Sequence, residues 1–337
     1  MNVLVTGSQG FVGSYLCSDL LNRGYNVIGI DNYSKYGRVV RGHDHHPNFT
    51  FYEGDVLDVL PASNFFETDY IVCLAAMIGG ISYFHKYAYD LLATNERITA
   101  TTFDKAISLF KHHRLKRIIN VSSSMVFENT DVFPTPETEV VTCPPPLSTY
   151  GFQKLATEYF CKGAFEQYGL PYTIIRPFNC VGVGEEEALS NDTAVYVGNK
   201  KMLMSHVLPD FIFKALHLGP DEEFPILGAG NQVRHFTNGK DLAKGIIMAM
   251  ESDKAINEDF NISHPRPVSI QELAEIVWGF VHNTPIKIKA YPPYTYDVQY
   301  RSPVVEKAER LLGFKADIGL EESIQEVITW MRNNIKD

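Results

Sequence analysis

Tyr150 stands four residues before Lys154 in the run Ser-Thr-Tyr-Gly-Phe-Gln-Lys-Leu-Ala-Thr-Glu-Tyr, residues 148–159. On a helix these positions share a face one turn apart, so the phenol and the ammonium project together. A neighbouring cation stabilises phenolate and draws a tyrosine pKa, about 10 when unperturbed, toward working pH, as a general base requires. Pro144-Pro145-Pro146 just upstream cannot sit inside a helix and mark the loop that delivers the chain to its start. Such a spacing is common by chance. Its weight comes from its surroundings: a hydroxyl run, Ser122-Ser123-Ser124, after a strand-like segment, and a glycine-rich turn near the start of the chain.

That turn reads Thr6-Gly7-Ser8-Gln9-Gly10-Phe11-Val12-Gly13. Its three glycines allow a tight turn, a side-chain-free approach for a pyrophosphate, and close packing of the next helix, whose N-terminus attracts anions. The spacing is not GxGxxG, and alone it also describes a plain strand-to-helix turn. Asp31, ending the second strand-like run, can accept hydrogen bonds from ribose hydroxyls and would repel a 2′-phosphate. The expectation is therefore NAD rather than NADP, with Lys35 and Arg38 nearby as the opposing signal. Asp55 follows the third run, as an acceptor for an adenine amino group or as a helix cap.

Strand-like runs alternate with helical patterns at 3–5, 27–30, 49–52, 70–74, 117–121 and 172–175. This predicts an α/β fold, a Rossmann-like doubly wound parallel sheet, with a smaller mixed α/β substrate-binding lobe. Long helices are expected over 83–113 and 149–168, and shorter ones near 205–218, 239–251, 269–281, 304–312 and 321–334. The expected division is an NAD-binding domain over 1–178 and a smaller lobe over 179–337, with 234–262 packing back on the first; the family resemblance given below implies that the second lobe binds a nucleotide sugar.

The 337 residues, 45% hydrophobic, suffice for a large core, and a net charge of −10 argues against nucleic-acid or anionic-membrane partners. No apolar run nears the length of a membrane span and no basic leader precedes the first strand. Five cysteines without CxxC spacing suggest reduced thiols in a cytoplasmic protein. The loop Gly42-His43-Asp44-His45-His46 lacks an evident fourth ligand, so no metal is expected.

In this order the residues resemble the extended short-chain dehydrogenase/reductases, specifically the nucleotide-sugar epimerases and dehydratases, over nearly the whole chain. The motifs are Thr6 to Gly13, Asp31, Gly54-Asp55-Val56, Leu74-Ala75-Ala76, Asn95, Val121 to Phe127, Tyr150 with Lys154, and Arg176-Pro177-Phe178-Asn179. The resemblance implies Tyr150 as base, Lys154 bonded to the nicotinamide ribose, and Ser123, with Ser124 as the alternative, bonded to the reacting sugar hydroxyl. It implies an NAD cradle of Gly7, Gln9, Gly10, Phe11, Val12, Gly13, Asp31, Asn32, Asp55, Val56, Leu74, Ala75, Ala76, Asn95, Val121 and Pro177, with Tyr150 and Lys154. For the substrate it implies Ser123, Ser124, Met125, Asn179, His206, Val207, Arg234 and Arg301. Departures from the pattern are Phe127 for tyrosine, His235 for aspartate, Tyr294 for arginine and Val304 for aspartate. Arg301 would replace the missing cation, facing a phosphate or a uronic-acid carboxylate, unless it forms only a surface ion pair.

The resembling 4,6-dehydratases carry Asp and Glu where this chain has Ser124 and Met125, which disfavours dehydration. Met125 also supplies no thiol for 3,5-epimerisation, although Cys143 and Cys180 keep that branch open. The simplest remaining reaction is 4-epimerisation of a UDP-hexose or UDP-uronate through a transient 4-keto sugar. Tyr150 takes the C4 hydroxyl proton as hydride passes to NAD, and hydride returns to the opposite face. Alternatives are a reductase, decarboxylase, 3,5-epimerase or 4,6-dehydratase of the same family, or a dinucleotide-sensing protein without turnover. Tyr83, Phe84, Tyr87 and Tyr89 suit core or partner packing, and the resemblance implies a homodimer.

Overall fold

A computed structural model describes residues 1–79, 86–185, 195–197, 200–202, 206–293 and 298–334. The strands are β1 (Asn2–Thr6), β2 (Asn26–Asp31), β3 (Phe49–Glu53), β4 (Tyr70–Cys73), β5 (Arg117–Val121), β6 (Tyr172–Pro177), β7 (Cys180–Val181), β8 (Val195–Val197), β9 (Lys200–Met202), β10 (Glu223–Leu227), β11 (Val233–His235), β12 (Thr237–Asn238), β13 (Glu258–Ile262), β14 (Pro267–Ser269) and β15 (Lys287–Tyr291). The helices are α1 (Phe11–Asn22), α2 (Val56–Ala62), α3 (Ala88–His112), α4 (Thr149–Tyr168), α5 (Val207–His217), α6 (Gly239–Glu251), α7 (Ile270–Val281), α8 (Glu306–Leu312) and α9 (Leu320–Asn334). The expected start of α3, with Tyr83 and Phe84, lies outside the described residues, as do Ser205 and Tyr294; among the described residues Tyr87 caps α3 and Tyr89 stands exposed.

Seven strands form one parallel sheet in the order β13-β6-β5-β4-β1-β2-β3. The order reverses between β1 and β4, the switch point at which an open α/β sheet leaves a crevice at its carboxyl edge. Strands such as β5, buried throughout, match a sheet covered on both faces. One face packs on α1 and α6, where Leu16, Leu20, Leu242, Ile246 and Ile247 meet Val3, Val5 and Phe260. The other packs on α2, α3 and α4 through Leu60, Phe103, Leu109, Cys161 and Ala164. Strand β13 and helix α6 thus bring the segment after β11 back onto the first sheet.

A separate core joins α5, α7 and α9 around Phe211, Phe224, Trp278, Ile324 and Met331. Tyr15 of α1 reaches toward it: its hydroxyl accepts from the Val183 amide at 2.7 Å. A side chain at Gly182 or Gly239 would strike the Tyr15 ring or hydroxyl at 2.4 Å.

Local chemistry sets the ends of α4. Ser148 caps it by accepting from Gly151 N at 3.0 Å, and Glu128 Oε2 holds the Ser148 hydroxyl at 2.8 Å. Gly169 ends it with φ +74°, the left-handed geometry that favours glycine. No described helix is long and apolar enough to cross a membrane.

In α5, buried Asp210 pairs with Lys214 one turn on, yet burial outweighs the ammonium and pushes the carboxyl pKa up to about 6. The native chain therefore binds this proton more tightly than the unfolded chain, and stability falls as pH rises between about 4 and 6. Asp210→Asn is expected to remove that slope, read as the difference between the two proteins' Tm against pH.

Candidate active site

Thr6 leads into the glycine turn at the switch point. Gly7 has φ +75°, and a Cβ there would lie 2.8 Å from Ala75 N. A Cβ on Gly13 would lie 2.1 Å from the Gly7 carbonyl oxygen, so α1 packs directly on the turn. Gly10 caps α1 without a side-chain hydrogen bond, leaving the Phe11 and Val12 amides no acceptor within the helix. Such a helix start fits a dinucleotide pyrophosphate.

Asp31 closes the turn from the next strand. Its carboxylate accepts from Gln9 N at 3.0 Å and Tyr33 N at 2.8 Å; burial raises its pKa against these bonds. Asp55 caps α2 by accepting from Leu57 N at 2.9 Å, and Asn32 donates to it at 3.1 Å, so the helix-cap alternative describes its contacts here. Val56, expected beside the cofactor, packs its side chain into the core with Leu60, because it opens the apolar face of α2. Asn95 clamps the loop after β4, accepting from Met77 N at 2.7 Å and donating to Met77 O at 2.9 Å. Thr6 Oγ1 accepts from Leu74 N and Ala75 N, both at 3.2 Å. Ala75, Ala76, Asn95, Val121 and Lys154 line one small polar cavity at the carboxyl ends of β1, β4 and β5, and Pro177 ends β6.

Tyr150 is 7% exposed, its ring packed with Leu91 and Met125. Its pKa is raised by burial and lowered by a hydrogen bond to Ser123 and by the Arg301 charge. Burial wins, so the phenol stands above its ordinary pKa rather than below it as expected; Ser123 and Arg301, not Lys154, oppose the rise. Lys154 Nζ donates to Val121 O at 3.0 Å; burial pushes its pKa down to about 8, with Cys73 opposing. Ser123 is the hydroxyl bonded to Tyr150 and also accepts from Met125 N at 3.2 Å; Ser124, buried like Ser123, begins the 3-10 turn Ser124–Phe127.

On the substrate side, Asn179 has φ +35° and donates to His235 O at 3.2 Å. His206 pairs through Nδ1 with buried Glu185 ahead of α5, and Val207 packs on the second core. Arg234 donates to the carbonyls of Val233 at 2.9 Å and Gln299 at 3.4 Å, where the resemblance implied a phosphate clamp. His235 is buried and binds Ser302 Oγ at 3.1 Å and His264 O at 2.9 Å, fixing the segment that carries Arg301. Arg301 was expected at a phosphate, a substrate carboxylate or the surface; it stands close enough to bias Tyr150.

Arg41 was not singled out from sequence, and Asp44 and His43 were considered there only as part of a metal-binding loop. Arg41 donates to Gln9 O and Gly184 O, both at 3.1 Å, and Asp44 accepts from the Gln9 side chain at 2.8 Å. The histidine-rich loop thus braces the turn. His43 is buried 4.7 Å from the Phe49 ring, with burial pushing its pKa down to about 4. Among the described residues no cluster of three metal-ligating side chains occurs.

The chain was compared with known proteins. It is 27% identical over 340 residues to the UDP-N-acetyl-alpha-D-glucosaminuronate decarboxylase of Bacillus cytotoxicus, covering 98% of this chain and 97% of that one. It is also 27% identical to the UDP-glucose 4-epimerase of Halalkalibacterium halodurans, covering 99% and 96%. The structure of Thermotoga maritima UDP-glucose 4-epimerase with UDP-glucose superposes with a TM-score of 0.81 and 29% identity over 100% of both chains. Residues 3–263 match the model of the NAD dependent epimerase/dehydratase family, and with the glycine turn, Tyr150, Lys154 and Ser123 gathered at one sheet edge, the chain belongs to that family.

Proposed function

We propose that this protein is an NAD-dependent nucleotide-sugar 4-epimerase acting on a UDP-hexose or, preferentially, a UDP-uronate. The observation that carries this reading is the buried Tyr150 hydroxyl bonded to Ser123 with Arg301 beside it, followed by Ser124 and Met125, which supply no acid–base pair for elimination. Bound NAD supplies a hydride acceptor, and then a donor, at the sugar carbon. Tyr150 takes the proton from the C4 hydroxyl and returns it to the inverted alcohol. Ser123 donates to the same oxygen as charge develops. Lys154 holds a ribose hydroxyl, and the first turn of α1 binds the pyrophosphate.

Arg301 supports the uronate preference, because a guanidinium beside the reacting hydroxyl suits a carboxylate on the neighbouring sugar carbon. The same observation favours decarboxylation as a second reading, one that matches the decarboxylase relative. Incubation with UDP-glucuronate and UDP-glucose separates the two: an epimerase yields the C4 epimer and no carbon dioxide. Release of carbon dioxide with a UDP-pentose would replace the epimerase assignment. Arg301→Ala is expected to lower kcat/KM for the uronate by about 10- to 100-fold and to affect the hexose far less, as for a lost hydrogen bond to a charged group.

We also propose a cytoplasmic homodimer. The free cysteines favour the location. Tyr89 on α3 and Phe152 and Tyr159 on α4 stand exposed as a surface for the second copy.

A further inference from the structure

We propose that the buried pair Glu158 and Arg176 is a positioning unit that sets Ser123 against Tyr150, gripping the catalytic segment through Ser122 on one side and Phe127 on the other. Both side chains are completely buried. Glu158 lies on α4 one turn beyond Lys154, so the unit is anchored on the helix that carries the base. Arg176 Nε and Nη2 meet the Glu158 carboxylate at 2.8 and 2.7 Å. The same carboxylate accepts from Ser122 Oγ at 2.7 Å, immediately before Ser123. The guanidinium lies 5.1 Å from the centroid of the Phe127 ring, at the far end of the turn that Ser123 caps. Behind it, Arg176 Nη1 meets Asp259 at 2.8 Å and Asp259 meets Lys307 at 2.6 Å, so the cluster balances its charge internally.

Chemistry explains why an arginine is required. Its planar fork engages a carboxylate through two N–H groups while the guanidinium stays within cation–π reach of a ring, a combination that a lysine's point charge does not offer. A buried ion pair is weak evidence for stability, since desolvation offsets the attraction. Its place around Ser123 points to geometry instead. The proposal rests on the Tyr150 and Ser123 reading of the site, not on which sugar chemistry follows.

Ser122→Ala and Phe127→Leu each remove one grip and leave the ion pair in place. Each is expected to lower kcat about tenfold with KM within about twofold, the cost of a small misplacement of reacting groups. Because the Ser123 bond favours phenolate, each should also shift the acid limb of the rate profile to higher pH. Tm is expected to fall by no more than a few degrees. A second readout needs no substrate: the ultraviolet phenolate titration of Tyr150, taken as the difference between each protein and its Tyr150→Phe counterpart, should move upward. Unchanged kcat and an unchanged titration in Ser122→Ala would overturn the proposal. A wild type that decarboxylates rather than epimerises overturns only the reaction assignment, and the titration still decides this one.

Discussion

Tyr150→Phe is expected to lower kcat by about a thousandfold or more while the protein stays folded and keeps both nucleotides, because a positioned general base contributes about 10²- to 10⁴-fold and no other group described at the site replaces it. The substitution deletes one oxygen. The ring that packs with Leu91 and Met125 remains, so the core around it is preserved. The lost oxygen is the one bonded to Ser123 and biased by Arg301. Burial holds the phenol above its ordinary pKa in the ligand-free site, so the wild-type rate should climb with pH as the phenolate forms, and this dependence should vanish in the variant. Steady-state turnover, with calorimetric binding of the UDP-sugar, checks both halves. A variant retaining a tenth of the wild-type kcat would remove Tyr150 from the base role.

Gly13→Ala is the second large effect. The new methyl group would sit 2.1 Å from the Gly7 carbonyl oxygen and 3.0 Å from the Ser8 carbonyl carbon, both backbone, so no rotamer change relieves it. Helix α1 must withdraw from the turn. Overpacking of this kind typically costs about 1–3 kcal/mol, and moving the amides that face the pyrophosphate should weaken NAD binding about a hundredfold. Gly10→Ala makes the contrast. Its methyl group would meet only the Gly7 carbonyl oxygen, at 3.2 Å, so it should spare Tm and weaken NAD alone by intruding on the ligand's approach. Tm and the NAD retained after gel filtration measure both variants. Wild-type values for Gly13→Ala would mean that α1 does not need this contact.

Most of the first six strands were legible because parallel strands buried on both faces read as short apolar runs, the edge strand β3 because of its aromatic residues Phe49, Phe51 and Tyr52, and the glycine turn announces the switch point. The seventh was not. Strand β13 opens with Glu258 and Asp259, which look like solvent residues; they are held by Lys307 and Arg176, contacts no local pattern predicts. The site divides in the same way. Tyr150, Lys154 and Ser123 belong to compact motifs, whereas the nearness of Arg301 to Tyr150 depends on the chain returning to the sheet edge from its far end. Asp31 was legible as an acid in the right place, but its tether to Gln9 N and Tyr33 N appears only in three dimensions. Arg234 was legible as a cation, but its bonds to the carbonyls of Val233 and Gln299 appear only in three dimensions.

Tyr15 gives the two halves of the molecule a common joint. It rides on the helix whose first turn faces the pyrophosphate, and its hydroxyl fixes the Val183 amide at 2.7 Å, on the path toward Glu185 and His206. With Gly182 and Gly239 pressed against the phenol, that joint has little slack. A tilt of α1 on losing the dinucleotide is therefore expected to shift the Val183 segment with it, so the protein stripped of NAD should also bind its nucleotide sugar poorly.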